Sequence, residues 1–264
     1  MAIRFGICKD FDMMEFVAKA GFDYIEPAFR TLVNLSDEEF ENIKAKSKEL
    51  NLKCEAFNLF APHSTPSLRY EDIAPNIDEF KGLVYKGMSR AKELGAEILV
   101  IGCGWLRKVP EEMSREHALE ETAKTFRVVA DIAAEYGITI VAEPLNTNET
   151  NFINTIKDGS DFIEYCNHPS IQGLVDFYHT YRNREPLEEI RENMGKVVHT
   201  HFARPNDDRC YPIEEDIPML CEWNKILKDA GYDARLSSEC RTREGANEEE
   251  EIKRTLEMIR KCFA

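Results

Sequence analysis

Eight times along this chain a short apolar run gives way to a longer amphipathic stretch, and that alternation constrains the fold more than any other feature. The apolar runs read as strands over residues 3–8, 23–26, 53–60, 97–101, 138–142, 171–175, 196–200 and 234–238. Residues 97–101 and 138–142 are almost continuously apolar, as expected of strands buried on both faces. Helices are predicted over residues 13–20, 36–50, 77–94, 114–136, 158–167, 186–194, 218–230 and 248–262. Local punctuation agrees with this division. Ser36 with Glu39 three residues later makes a capping box, and Gly21, Gly95 and Gly137 stand where helices exit. Pro218 falls in a first turn, where its missing N–H costs nothing.

Eight strand–helix units in 264 residues average roughly 33 residues each, which fills the length of a closed (β/α)8 barrel. No linker or low-complexity segment divides the chain. The expectation is therefore a single α/β domain, a TIM barrel spanning residues 1–264. The rival fold, an open doubly wound sheet, lacks its Gly-x-Gly-x-x-Gly turn after the first strand. Gly102-Cys103-Gly104 is too short a match to replace it.

Charge and cysteine usage narrow the partners. Acidic residues outnumber basic ones by 49 to 34, a net charge of −15. Such a field repels phosphate backbones, so no nucleic-acid partner is expected. No run of about 18 apolar residues exists, so no membrane partner is expected either. The start, Met1-Ala2-Ile3-Arg4-Phe5, does not have the pattern of an export leader. The eight cysteines are scattered with no Cys-x-x-Cys pair, which reads as reduced thiols and a cytoplasmic location.

In such a barrel the chemistry sits at the C-terminal ends of the strands. The fifth strand ends in Glu143, the sixth in Asp176, the seventh in His201 and the eighth in Glu239. Taken singly, each reads equally well as a solvated loop residue or an ion-pair partner. Taken together, three carboxylates at one mouth would repel each other and resist joint ionisation. A bound cation resolves that conflict. Oxygen-rich ligands with one imidazole suit a divalent ion, Mn²⁺ foremost, with Mg²⁺, Co²⁺ or Zn²⁺ as alternatives.

Other polar and aromatic residues surround this set. His199 lies two residues before His201, on the same side of the strand, and reads as a deeper layer. His63 reads as a surface residue, with the mouth as its alternative, and His117 and His168 lie on or beside outer helices. Trp105 and Phe60 stand just past strand ends, where each serves either packing or a lid, or stacks on the apolar face of a sugar. Glu26 also ends a strand, but nothing in the sequence pairs it with the other four.

The segments Glu143-Pro144-Leu145-Asn146, Asp176-x-x-His179, His199-x-His201 and Glu239 run in order through the second half of the chain. On these residues the chain resembles the xylose-isomerase-like barrel superfamily, and most closely its sugar epimerase branch, typified by D-tagatose 3-epimerase and D-psicose 3-epimerase. The resemblance implies one Mn²⁺-type ion held by Glu143, Asp176, His201 and Glu239, with Glu143 and Glu239 as the acid/base pair. It implies sugar contacts for Glu149, His179 and Arg209. The segment 202–209 is slightly longer than the family pattern, which makes Arg204 a competitor for Arg209. Barrels of this type often assemble as homo-oligomers, although no feature here fixes that. The superfamily also contains abasic-site endonucleases with three zinc ions. Those need a histidine after the fourth strand, where this chain has Gly102-Cys103-Gly104-Trp105, and the net charge opposes DNA.

The expected function is that of a divalent-metal-dependent sugar epimerase or aldose–ketose isomerase working through an enediolate. The alternatives are a metal-dependent dehydratase or lyase of a keto-inositol or keto acid, and a non-catalytic carbohydrate-binding barrel.

Overall fold

The computed structural model describes residues 3–61, 64–206 and 209–263. The strands are β1 (Arg4–Ile7), β2 (Tyr24–Ile25), β3 (Ala56–Phe57), β4 (Ile98–Ile101), β5 (Thr139–Ala142), β6 (Ile171–Asp176), β7 (Val197–Phe202) and β8 (Arg235–Ser238). They pair in parallel in the order β2-β1-β8-β7-β6-β5-β4-β3. The seam between β2 and β3 is closed by isolated parallel bridges, Tyr24 to Lys53 and Ala28 to Asn58. Across it, Ile25 N–H donates to Lys53 O at 3.1 Å and Phe29 N–H to Asn58 O at 2.7 Å. The eight-stranded TIM barrel is the predicted fold.

The helices are α1 (Met14–Ala20), α2 (Phe29–Asn34), α3 (Asp37–Leu50), α4 (Tyr70–Ile73), α5 (Ile77–Glu93), α6 (Arg115–Glu135), α7 (Ile156–Cys166), α8 (Phe177–Asn183), α9 (Leu187–Glu192), α10 (Ile217–Asp229) and α11 (Glu248–Phe263). The capping box read at Ser36 is present: Glu39 N–H donates to Ser36 Oγ at 3.2 Å, and Ser36 N–H to the Glu39 carboxylate at 2.7 Å. A second box, Thr155 with Asp158, opens α7.

Two features depart from the sequence reading. First, β2 and β3 are two residues each, far shorter than residues 23–26 and 53–60. Pro27 has no N–H with which to continue a ladder, and Leu59 takes a left-handed φ of 44° that ends extended backbone. Second, α2, α4 and α8 lie in loops after β2, β3 and β6. They run 6, 4 and 7 residues, too short to show a helical period in a window of about 11 residues.

Side chains alternate between the lumen and the outer layer. Tyr24, Ala56, Ile98, Val100, Val141 and Leu174 fill the barrel interior. Leu99, Ile101, Ile140, Ala142 and Leu236 face the helices. Full burial of each such aliphatic chain contributes about 1.5–3 kcal/mol, and together they make the lower lumen a packed plug beneath the C-terminal mouth. Phe60 is fully buried against Phe29 and Phe80, at ring-centroid distances of 5.7 and 6.3 Å. It is a core residue and offers no face to a ligand. Among the described residues no helix is long and apolar enough to cross a membrane.

Candidate metal centre

Strand register brings the four strand-end residues together. Asp176 on β6 pairs with His201 on β7, and His201 with Ser237 on β8. Glu143 and Glu239 each follow the last residue of a strand, β5 and β8. One ligand atom from each of Glu143, Asp176, His201 and Glu239 lies within 4.8 Å of all the others. The Nδ1 of His201 is 3.5 Å from Glu143 Oε1 and 3.4 Å from Glu239 Oε2.

Those three atoms are buried, and none of them has a hydrogen bond of good geometry. Glu239 Oε2 does lie 3.1 Å from the Arg209 guanidinium, but without the alignment a hydrogen bond requires. Buried polar atoms left this way are costly unless something satisfies them. A divalent cation would satisfy all three at once, so the donor set fits one. Gly102 makes room for this arrangement. A Cβ there would stand 2.2 Å from Glu143 Oε2.

The carboxylates answer burial differently. Desolvation pushes Glu143 up. It also pushes Asp176 up, to about 7, although Arg209 pulls against it. Burial opposes ionisation of Glu239 too, but Arg209 and His201 outweigh it and hold that carboxyl down at about 2. His201 is buried, yet Glu26 beside it raises its affinity for protons well above the ordinary imidazole range. Arg209 is a cation that offsets the carboxylates of the mouth, 3.0 Å from Asp176 Oδ2. Its own φ of 65° is left-handed, as are those of Leu59, Cys103 and Ile153 in loops following β3, β4 and β5. Strain of this kind concentrates at functional sites.

The remaining sequence candidates distribute as follows. His179 sits on the first turn of α8 and is buried. Asn146 N–H donates to its Nδ1 at 3.0 Å, which leaves Nε2 facing Asp176 Oδ2 at 3.5 Å and Arg209 at 2.6 Å. Glu149 is exposed at the rim and accepts from Asn146 Nδ2 at 2.9 Å. Arg204, the competitor for Arg209, instead pairs with Asp216 at 2.9 Å. Trp105 is 56% exposed and lines the mouth. His117 and His168 pair with Glu71 and Asp131 on the outside. His63 lies outside the described residues.

From the sequence alone Glu26 has no partner; the structure gives it two histidines. It is fully buried and accepts from both His199 and His201. Arg107 was missed altogether. It is almost fully buried, with its NH2 donating to the Glu143 carbonyl at 2.5 Å, and desolvation lowers it to about 10. It lies in a loop with no period to betray it.

A family model, the xylose isomerase-like TIM barrel, matches residues 14–262. The chain belongs to that family. Among curated relatives, D-psicose 3-epimerase of Ruminiclostridium cellulolyticum is 24% identical over 245 residues, covering 91% of this chain and 81% of that protein. The 3-dehydro-D-guloside 4-epimerase of Escherichia coli K12 is 26% identical over 204 residues, covering 73% of each. The crystal structure of D-psicose 3-epimerase with D-tagatose from Clostridium cellulolyticum H10 superposes with a TM-score of 0.83 at 22% identity, covering 99% of both chains.

Above the four-residue centre the barrel mouth opens into a cavity of about 420 Å³. Arg209, Glu239, Glu26, Trp105, Asn58 and Arg30 are among the residues that line it. A larger cavity of about 700 Å³ lies outside the mouth, among residues of α8, α9 and α10, and touches none of the four.

Proposed function

We propose that this chain is a divalent-metal-dependent sugar epimerase acting on a ketose or a related polyhydroxy carbonyl compound. The observation that carries the reading is the convergence of Glu143, Asp176, His201 and Glu239, three of them with buried, unsatisfied ligand atoms, beside a cavity of sugar size that Glu239 lines. The epimerase relatives support the substrate class. Mn²⁺ is the ion that best suits three carboxylates and one imidazole. Bound at these four residues, it would supply the charge that stabilises an enediolate when the proton next to the ketone departs.

The protein's own groups do the rest. Glu143 and Glu239 approach from β5 and β8, so they would flank a substrate lying across the mouth. One removes the carbon-bound proton and the other returns one from the opposite face, which inverts the centre. Arg209 and His179 would hold the substrate oxygens, with Glu149 closing the rim and Trp105 offering an apolar face to the ring. Asp176 is fixed by the Tyr178 N–H and the Arg209 guanidinium, and its role in this reading is to hold the ion. The free state of all eight cysteines agrees with a reducing, cytoplasmic setting.

The test is turnover of a ketohexose and ketopentose panel by chelator-treated protein with and without added Mn²⁺. Interconversion of C3 or C4 epimers only with the ion is expected. Loss of water from an inosose with no epimer would replace the reading with a dehydratase. Sugar binding with no turnover of any member would leave a binding barrel.

A further inference from the structure

Beside the centre, and reaching the cavity wall at Glu26, lies a chain of buried polar groups that no role so far accounts for. The Tyr24 hydroxyl and Ser237 Oγ are 2.6 Å apart, and Ser237 Oγ donates to Glu26 Oε2 at 2.5 Å. The same Oε2 is 2.9 Å from His199 Nε2, and Glu26 Oε1 is 2.8 Å from His201 Nε2. All five side chains are fully buried in the lumen. Register sets them at adjoining levels. Gly6 on β1 lies between Tyr24 on β2 and Ser237 on β8, and Ser237 lies beside His201 on β7. Gly6 is needed for this, since a Cβ there would fall 2.1 Å from the Tyr24 ring.

The logic of donors and acceptors is strict here. A carboxylate accepts and has no proton to give, so each imidazole that faces it must carry its proton on Nε2. In neutral His201 that leaves Nδ1 as the nitrogen with a lone pair. Nδ1 is the atom that faces Glu143 and Glu239.

We infer that Glu26 is a positioning residue for the ion: it fixes the ring orientation and tautomer of His201 so that Nδ1 is presented to the centre, with Tyr24, Ser237 and His199 locking the carboxylate in place. This rests on the metal-dependent reading above. It also assigns a single ion. Cys8, Glu26 and His201 form a second group of ligand-type atoms within reach of one another, but Glu26 Oε2 accepts from two donors and His201 spends Nε2 on Glu26 Oε1, which leaves that nitrogen no lone pair for a second ion. That lower cluster is therefore a hydrogen-bonded support and not a second metal site. Hydrogen-bond partners of ligating histidines generally cost 10–100-fold in metal affinity when removed.

The test is a calorimetric Mn²⁺ titration of chelator-treated protein, alongside thermal unfolding of the same samples. Wild type is expected to take one ion per chain. Glu26→Gln can accept from only one imidazole and offers an N–H to the other, so its affinity should fall about 10–100-fold. High Mn²⁺ should restore its turnover. Ser237→Ala keeps the carboxylate and should weaken binding only about fivefold. A folded Glu26→Gln protein with wild-type affinity would overturn the inference, and so would two ions per wild-type chain. If Glu26→Gln does not fold, unchanged affinity in Ser237→Ala overturns it. Failure of wild type to bind Mn²⁺ at all would instead sink the metal reading, and this inference with it.

Discussion

The two halves of the barrel mouth are built differently. On one side β5, β6, β7 and β8 are 4, 6, 6 and 4 residues long, paired in parallel ladders that are interrupted only by a register shift at Gly173–Leu174, and each delivers one side chain to the centre. On the other side β2 and β3 are two residues each, and the barrel closes through isolated bridges. That side supplies the cavity wall: Asn58, Leu59, Arg30 and Trp105. Stiff ladders hold the groups whose relative positions decide the chemistry, where a misplacement of about 1 Å can cost 100-fold in rate. The looser half shapes the space for substrate. Glu26 is the exception, reaching from the end of β2 across the lumen to His201.

The largest effect that would sharpen this contrast is expected for Glu239→Gln. It removes a base without changing size, and turnover should drop about 100- to 10,000-fold with the circular dichroism spectrum unchanged. Wild-type rates in a folded variant would break the assignment. Next is Gly102→Ala, on the loop after β4. The new Cβ cannot coexist with Glu143 Oε2 at 2.2 Å, so the carboxylate must swing off the centre. About a 100-fold loss of kcat/KM is expected with little loss of stability.

The pH dependence follows from Asp176, which burial raises to about 7 despite Arg209. An ion binds its ionised form, so Mn²⁺ affinity measured by calorimetry should fall as pH drops below about 7, up to tenfold per unit. In the metal-free protein the sign is reversed. The proton is held more tightly in the folded state, so the stability Asp176 contributes is present at low pH and lost as pH rises through about 7. Thermal melts of metal-free protein from pH 5 to 8 check this. The smallest effect belongs to the looser half: Trp105→Ala should raise KM a few-fold and leave kcat alone, since the ring is an exposed part of the cavity wall.

How much of this was legible in the sequence depended on which physical signal each part leaves. The long buried runs on β4 and β5 and the capping box at Ser36 announce themselves, and the strand-end carboxylates follow from knowing where strands stop. Short β2 and β3 leave no period, and their seam is set by barrel closure and not by local preference. The helix α8 owes its start to Asp176, whose Oδ1 accepts from Tyr178 N–H at 2.7 Å, so one residue both caps a helix and faces the centre. Glu26 was visible as a strand-end acid. Its partners His199, His201 and Ser237 lie more than 170 residues away, a pairing that only the closed barrel reveals. Arg107 had no signal at all, because a buried loop arginine reads from sequence as any surface cation.

The central claim is that four strand ends enclose one divalent ion. Anomalous diffraction from crystals soaked in manganese chloride tests it directly. The account predicts one peak among Glu143, Asp176, Glu239 and the Nδ1 of His201. Density confined to the space between Cys8 and Glu26, or no peak at saturating manganese, would contradict it.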